Sequence, residues 1–183
     1  MRRFQAGDRF PNLRFCTDSG EEKEVAEILQ GRTVFWILRY IGCTVCNYDI
    51  HLLRERYQEF ASLGVQVFVV MQSDTAHVQA DLGEETLPFT IICDEEKAFY
   101  RALEIEPAKT EQELVGKNKE RLDEKAQKAE ALGIRHGDYE GDELQLPALF
   151  VVEENGEISY AHYAAELMDM PGTDEILDIL GKL

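Results

Sequence analysis

Hydrophobic positions along the chain fall into short continuous runs and helical stripes, and the pattern is clearest between residues 34 and 71. Residues 34–38 form a continuous apolar run of the length of a buried strand, and residues 65–71 form a second run after a helix stop at Gly64. Between the two runs, apolar residues recur at helical spacing at Ile50, Leu53, Tyr57 and Phe60. The pattern therefore predicts a β-α-β unit.

Shorter patterned segments predict further elements on both sides of this unit. These elements are a hairpin of residues 13–16 and 24–26, a short helix over residues 25–30, a helix capped by Ser73 or Asp74, a strand over residues 91–93 and a helix over residues 95–104. Towards the C-terminus, residues 146–152 and 158–162 flank Asn155-Gly156, a strong hairpin signal. Thr173 is predicted to cap a final helix.

The first apolar run leads into Gly42-Cys43-Thr44-Val45-Cys46, so a C-x-x-C motif lies where the predicted strand gives way to the predicted helix. A thiol in the first turn of a helix lies near unpaired backbone N–H groups and the positive end of the helix dipole, which both favour the thiolate. Cysteines in such positions can have pKa values of roughly 3.5–7.5 instead of about 8.5. Cys46 follows Cys43 by one helical turn and can close a short-loop disulfide with it. The motif therefore predicts a redox-active dithiol.

With the β-α-β unit at its centre, the order of elements is typical of a thioredoxin-like α/β fold, a central mixed β-sheet flanked by helices. We predict a single domain over residues 1–183, with residues 107–143 as a charged, mainly helical insertion. Thr110 is expected to cap a helix through about Leu132, and residues 133–142 to form a polar loop. The insertion has too few apolar residues for a core of its own. Two roles are open to it: covering the active-site side, or forming a homodimer contact.

Composition excludes several classes of partner. The net charge of −17 argues against nucleic acid and against anionic membrane surfaces. No apolar run has the length of a membrane span, and the N-terminal arginines are not followed by the apolar region of a secretory signal. We therefore expect a cytoplasmic protein whose four cysteines are thiols by default, with redox cycling confined to the close pair.

Three segments resemble the alkyl hydroperoxide reductase/thiol-specific antioxidant family, meaning the peroxiredoxins and their thioredoxin-like relatives. They are residues 7–13 (GDRFPNL), residues 39–46 (RYIGCTVC) and residues 146–156 (LPALFVVEENG). The resemblance implies a thioredoxin-like fold and a thiol-based redox activity that draws electrons from a thiol reductant system.

The candidate site departs from the peroxiredoxin pattern P-x-x-x-T-x-x-C. With Cys46 at the place of the peroxide-reactive cysteine, Cys43 takes the Thr position and Arg39 takes the Pro position. Peroxiredoxins also place an Arg just before the strand where this chain has Pro147. The proline matches instead the cis-proline of thioredoxins, which faces the C-x-x-C and receives an extended substrate segment. By resemblance, Pro147 is assigned that role.

Three functional predictions follow from these residues. The main one is a thiol–disulfide oxidoreductase and antioxidant protein acting on protein disulfides, in which Cys43, at the exposed lip of the helix, attacks and Cys46 resolves. The alternative is a peroxiredoxin-like peroxidase that reduces hydrogen peroxide or alkyl hydroperoxides. There one of the two cysteines forms a sulfenic acid that the other resolves, and the peroxiredoxin pattern favours Cys46 as the attacking one. The third is a non-enzymatic binding module whose contact surface is the acidic insertion.

Other residues complete the prediction. Pro147, Arg39, Tyr40 and Thr44 are the candidate supporting or substrate-docking residues. Arg39 is the one charge expected close to the thiols, although an exposed strand-end position fits it equally well. Cys16 and Cys93 lie in apolar, strand-like settings and are expected in the core, and the scattered histidines are expected at the surface. A zinc site would need two further ligands, and neither a second C-x-x-C nor a histidine pair at ligand spacing is present, so we expect no metal and no cofactor.

Overall fold

The computed structural model describes residues 2–183 as a seven-stranded mixed sheet with helices on both faces. The strands are β1 (Arg14–Thr17), β2 (Glu22–Glu24), β3 (Thr33–Ile37), β4 (Gln66–Met71), β5 (Thr90–Cys93), β6 (Ala148–Val152) and β7 (Ile158–Tyr163). The helices are α1 (Val25–Ile28), α2 (Thr44–Ser62), α3 (Thr75–Leu82), α4 (Ala98–Ala102), α5 (Glu111–Val115), α6 (Lys119–Ala131) and α7 (Thr173–Leu180), with a 3₁₀ turn at Leu167–Asp169. The strand order is β2-β1-β5-β4-β3-β6-β7. This architecture confirms the predicted α/β fold.

The central strands are continuous apolar runs because both faces of the sheet are covered. Strand β3 pairs parallel with β4 and antiparallel with β6, and all five of its residues are buried. Alternate side chains serve two separate cores, as the period of a strand requires. Val34 and Trp36 pack on the face covered by α2, α3 and α7, whereas Phe35 and Ile37 pack on the face covered by α1 and α4.

The predicted hairpins are both present. Strands β1 and β2 pair antiparallel, and β6 pairs antiparallel with β7 across the turn at Asn155-Gly156. Gly156 has a φ of +83°, a conformation that glycine adopts without steric cost and that tight turns require. Local turn chemistry was therefore sufficient to place the last hairpin.

The single helix predicted from Thr110 to Leu132 is wrong. Thr110 does cap a helix, since its hydroxyl accepts a hydrogen bond from the Glu113 N–H at 3.1 Å, but that helix is the short α5. The helix ends at Gly116, where φ is +66°. Immediately after it, the Lys117 N–H donates to the Glu166 carboxylate at 2.8 Å. A side chain 49 residues further along the sequence thus divides the predicted helix in two.

The predicted cap of the last helix is also wrong by one residue. Gly172 is the N-cap of α7 and Thr173 is its first residue, with a hydroxyl that is buried and has no hydrogen-bond partner among the described residues. The Glu175 carboxylate accepts from the Gly172 N–H at 2.8 Å and satisfies the helix end instead. Within residues 2–183, no helix is both long and apolar enough to cross a bilayer.

Residues 107–143, the segment predicted as an insertion, lie against the helix that follows the C-x-x-C motif. Helix α6 packs against α2, and residues 133–142 form the expected irregular loop. Of the two roles open to this segment, the homodimer contact stays a prediction.

Candidate active site

The C-x-x-C motif lies at the junction of β3 and α2, as the pattern predicted. Cys43 is the N-cap of α2 and its carbonyl accepts the first helical hydrogen bond, from the Asn47 N–H at 2.9 Å. Cys46 lies in the first turn. The expectation that Cys43 lies at an exposed lip is wrong, because Cys43 is only 3% exposed and Cys46 only 4%. Neither thiol is therefore exposed at the surface of the folded protein.

Arg39 lies beside the thiols, as predicted, and is itself buried, with 8% of its surface exposed. One guanidinium nitrogen donates to Cys43 Sγ at 3.5 Å, and another donates to the carbonyl oxygen of Glu143. The guanidinium also stacks over the ring of Tyr40, 5.1 Å from its centroid. Its third nitrogen, Nε, is buried without a hydrogen-bond partner among the described residues. The site thus holds a fixed positive charge and an unused donor.

The two thiols have opposite protonation preferences. Burial acts to raise the pKa of Cys43, but hydrogen bonding from Cys46 and the charge of Arg39 outweigh it and lower the pKa to about 6. Burial raises the pKa of Cys46 well above its usual value, and the hydrogen bond to Cys43 and the negative charge of that residue raise it further. At neutral pH, Cys43 is therefore the thiolate and Cys46 the thiol.

A buried ion pair lies one turn beyond Cys46. Asp49 accepts from Lys125 Nζ at 2.7 Å, and the two side chains are only 9% and 20% exposed. Burial raises the pKa of Asp49, whereas the pKa of Lys125 is raised by Asp49 against the opposing effect of burial. Lys125 comes from α6, so the charged segment delivers a second cation to the neighbourhood of the thiols.

A loop of the same segment lies over the motif; we call residues 136–143 the covering loop. The Gly137 N–H donates to the carbonyl oxygen of Gly42 at 2.9 Å. The Tyr40 hydroxyl lies 3.2 Å from Nε2 of His136, and the Ser73 hydroxyl donates to Glu140 at 2.7 Å. These contacts attach the covering loop to the residues that follow β3 and β4, at the edge of the sheet where the cysteines lie.

Gly42 makes the closest approach to the covering loop. A Cβ atom at this position would overlap the carbonyl oxygen of Asp138 and would lie 3.0 Å from its nitrogen. Only glycine allows the two backbones to pack at this distance. The covering loop therefore closes directly on the residue that precedes Cys43.

Comparisons with known proteins identify the family. A family model described as AhpC/TSA antioxidant enzyme matches residues 52–166, which is more than half of the chain. The chain belongs to the AhpC/TSA antioxidant enzyme family. Membership in this family makes it an oxidoreductase, as the sequence predicted. The match begins after Cys46, so the roles of the two cysteines do not follow from it. A search of curated proteins finds no significant match.

Solved structures of peroxiredoxins share the fold of this AhpC/TSA chain. Peroxidoxin BcpB from Mycobacterium tuberculosis superposes with a TM-score of 0.70 at 11% identity, covering 98% of this chain and 97% of that chain. A peroxiredoxin 6 variant of Arenicola marina gives 0.70 at 14% identity, covering 97% of this chain and 72% of that one. A peroxiredoxin-like protein from Aquifex aeolicus gives 0.63 at 17% identity, covering 100% and 89%. These likenesses confirm the thioredoxin-like fold of the AhpC/TSA chain.

Pro147 does not have the conformation predicted for it. No peptide bond of residues 2–183 is cis, so the bond before Pro147 is trans, the isomer that X–Pro bonds favour by about 0.5–1 kcal/mol. The carbonyl of Pro147 accepts from the Ala164 N–H at 3.1 Å. The two residues that precede it, Gln145 and Leu146, are buried in the protein's own packing. The predicted cis conformation is therefore wrong, and the docking role of Pro147 stays a prediction.

Other site residues were only partly foreseen. Tyr40 is buried beside Arg39, as its position suggested, but its hydroxyl faces His136. Thr44 is the first residue of α2 and is half-buried. Asp49 and Lys125 were missed, although a signal was present: Asp49 lies on the apolar stripe of α2, three residues after Cys46, and Lys125 lies on the thin stripe that contains Leu122 and Ala129.

The histidines were expected at the surface; His136 is exposed, as expected, and His51, His77 and His162 are half-buried. His136 packs on the rings of Tyr40 and Tyr139. His77 Nδ1 lies 2.9 Å from Asp74 and 3.4 Å from Glu140, and the hydrogen bond to Asp74, followed by the charge of Glu140, raises the pKa of His77. His77, Asp74 and Glu140 each have one nitrogen or oxygen atom of the kind that binds metal ions, and these atoms lie within 4.8 Å of one another. Asp74 also caps α3, and Glu140 also accepts a hydrogen bond from Ser73. The cluster therefore connects the covering loop to the start of α3.

Proposed function

We propose that the protein is a thiol peroxidase that reduces hydrogen peroxide or small alkyl hydroperoxides, with Cys43 as the attacking thiolate and Cys46 as the resolving thiol. The main support for this proposal is that both thiols are buried beneath the covering loop and that the Arg39 guanidinium donates a hydrogen bond to the Cys43 sulfur. A small hydroperoxide can enter such a site, whereas the disulfide of a folded protein needs an exposed sulfur and a docking groove. Membership in a family of antioxidant enzymes supports the same activity.

The first step uses the charge arrangement around Cys43. The Cys43 thiolate attacks one peroxide oxygen, an S–O bond forms and the O–O bond breaks, which leaves a sulfenic acid and an alkoxide. The unpartnered Nε–H of Arg39 is available to donate to the developing negative charge on the leaving oxygen. The Cys46 thiol, one helical turn from Cys43, is the adjacent proton source that converts the alkoxide to an alcohol.

The second step closes the disulfide. Cys46 attacks the Cys43 sulfenic sulfur, an S–S bond forms, and the hydroxyl group leaves and takes a proton from solvent to become water. The peroxide has then gained two electrons, one from each sulfur. The buried Asp49–Lys125 pair lies one turn beyond Cys46 and sets the charge environment in which that thiol loses its proton. An external thiol reductant returns the pair to the dithiol by exchange.

The test compares substrates on the fully reduced protein. Trp36 lies in the same buried cluster as both cysteines, so its fluorescence can report their oxidation in stopped flow. Hydrogen peroxide, a bulkier aryl hydroperoxide and a protein disulfide would be mixed separately with the protein. We expect hydrogen peroxide to react fastest and the protein disulfide slowest. A peroxide rate no greater than that of free cysteine, or a faster reaction with the disulfide, would favour the oxidoreductase predicted first from the sequence.

Replacing Gly42 by alanine tests whether the covering loop controls access. The added Cβ overlaps Asp138, so the loop has to move outwards at the cost of overpacking, about 1–3 kcal/mol. We expect alkylation of the two thiols by iodoacetamide to accelerate by at least about fivefold. Gly172→Ala is the matched control, because a Cβ there meets no atom within 4 Å and its φ is −80°. Equal alkylation rates in the two variants would remove access control from the proposal.

A further inference from the structure

Cys16 and Cys93 lie outside the site described above, yet directly opposite each other on neighbouring strands. They are cross-strand partners in the antiparallel pair of β1 and β5. The Asp18 N–H donates to the Ile91 carbonyl at 2.9 Å, so the positions two residues along, Cys16 and Cys93, also form a hydrogen-bonded pair. Cα atoms of such pairs are about 5.5 Å apart, and disulfides span about 4.4–6.8 Å. The Cα spacing therefore falls in the disulfide range. The Cβ atoms of directly opposed residues are about 4.5–5.5 Å apart, so closing the bond requires them to approach to about 3.5–4.5 Å.

The two side chains share one face of the sheet and one polar neighbour. Directly opposed residues of a strand pair point to the same face, and Cys93 belongs to the core on the α2 and α3 side. Cys16 Sγ lies 3.6 Å from the hydroxyl oxygen of Thr75, the first residue of α3. Burial raises the pKa of Cys93, and the Thr75 hydroxyl opposes this effect. The Thr75 side chain thus lies near both cysteines.

The two cysteines differ in access. Cys16 is partly exposed, whereas Cys93 is only 9% exposed. Burial raises the pKa of Cys93 to about 12, so this residue stays a thiol at neutral pH. Cys16 is therefore the sulfur that meets an oxidant first, and Cys93 is placed to react with an oxidised Cys16.

This pair lies two strands away from the strand that leads into the active-site cysteines. Strand β5 is separated from β3 by β4, and two strand spacings amount to about 10 Å. Direct attack of one sulfur on another requires contact. In this arrangement, the oxidant of Cys16 and Cys93 is hydroperoxide that the active site has not removed.

We propose that Cys16 and Cys93 form a second redox pair, which excess hydroperoxide converts to a reversible cross-strand disulfide. Cys16 as thiolate attacks one peroxide oxygen; an S–O bond forms, the O–O bond breaks, and the other oxygen takes up a proton and leaves as water or alcohol, so that Cys16 becomes a sulfenic acid. Cys93 then attacks the sulfenic sulfur, an S–S bond forms, and the hydroxyl group leaves as water with the proton of the Cys93 thiol. Each peroxide gains two electrons and each pair loses two. The proposal does not depend on the peroxidase activity of Cys43.

The experiment uses the full-length Cys43→Ser/Cys46→Ser variant, which retains only Cys16 and Cys93. It would be treated with hydrogen peroxide or with diamide, which accepts the two hydrogens of a dithiol, and then alkylated and digested without reductant. We expect both remaining thiols to be lost together and one peptide pair to be linked through Cys16 and Cys93. Dithiothreitol should restore both thiols. Adding Cys16→Ser to the variant should abolish the linked pair and leave Cys93 reduced.

Three results would overturn the proposal. Both thiols could stay free under an excess of either oxidant, Cys16 could cross-link two copies of the chain, or Cys16 could oxidise further while Cys93 stays free. The same mapping on the unsubstituted protein guards against misfolding of the variant. Because diamide oxidises dithiols without peroxide chemistry, failure of the peroxidase proposal would leave this result unaffected.

Discussion

Replacing Cys43 by serine is expected to abolish peroxide reduction, with a fall of at least about 10³-fold in the second-order rate constant. The physical reason is that Cys43 is the thiolate of the pair, and a serine hydroxyl does not ionise at neutral pH. Cys46 cannot take over, because burial keeps the pKa of its thiol well above the usual value. The measurement is the fluorescence phase of reduced protein mixed with excess hydrogen peroxide.

The Cys46→Ser variant is the matched control, since it has the same loss of one sulfur in the same helical turn. We expect it to keep a fast first phase and then to stall with Cys43 as a sulfenic acid, which dimedone labelling and mass spectrometry detect. It should turn over only if an external thiol resolves the sulfenic acid. A fast first phase in Cys43→Ser and none in Cys46→Ser would reverse the assignment and match the peroxiredoxin pattern instead.

Replacing Arg39 by methionine is expected to slow peroxide reduction at pH 7 by about 10²–10³-fold, the usual cost of removing a donor that stabilises developing negative charge. Two effects combine in this loss. The charge of Arg39 helps to hold the pKa of Cys43 down at about 6, and its Nε–H is the unpartnered donor beside the thiols. Arg39→Lys should recover part of the rate, since it restores the charge but not the planar set of donors.

The pH profile separates a chemical role for Arg39 from a structural one. Only the thiolate reacts, so the rate in the unsubstituted protein should rise with pH through a midpoint near 6 and then level off. In Arg39→Met the midpoint should move upwards, towards the ordinary cysteine pKa of about 8.5. Arg32→Met is the control, because Arg32 pairs with Glu153 rather than with the site. An unchanged midpoint in Arg39→Met would mean that Arg39 acts only through packing.

Much of the fold followed from the sequence because the signals that set it are local. Continuous apolar runs predicted β3 and β4, a helical stripe predicted α2, and Asn155-Gly156 predicted the β6–β7 turn. The motif itself was also located correctly, since a strand end followed by an amphipathic helix fixes the C-x-x-C at the helix N-terminus. These features depend on residues fewer than about ten positions apart, which is the range of capping, turn and periodicity rules.

The chemistry of the site depended on contacts between distant parts of the chain. Glu143 and His136 meet Arg39 and Tyr40 across about a hundred residues, and this packing buries thiols that the sequence suggested were exposed. Lys125 meets Asp49 across 76 residues, and Glu166 breaks the predicted long helix across 49. No local pattern specifies such partners, because α5, α6 and the covering loop can be arranged over a domain in many ways.

The sequence by itself thus determined an α/β domain with a dithiol at the start of a helix. Only the tertiary structure decided that the dithiol lies beneath a loop of its own chain, that the bond before Pro147 is trans, and that Cys16 faces Cys93. The physical reason is that hydrogen bonding and side-chain periodicity act along the chain, whereas burial, charge pairing and cysteine proximity are properties of packed neighbours.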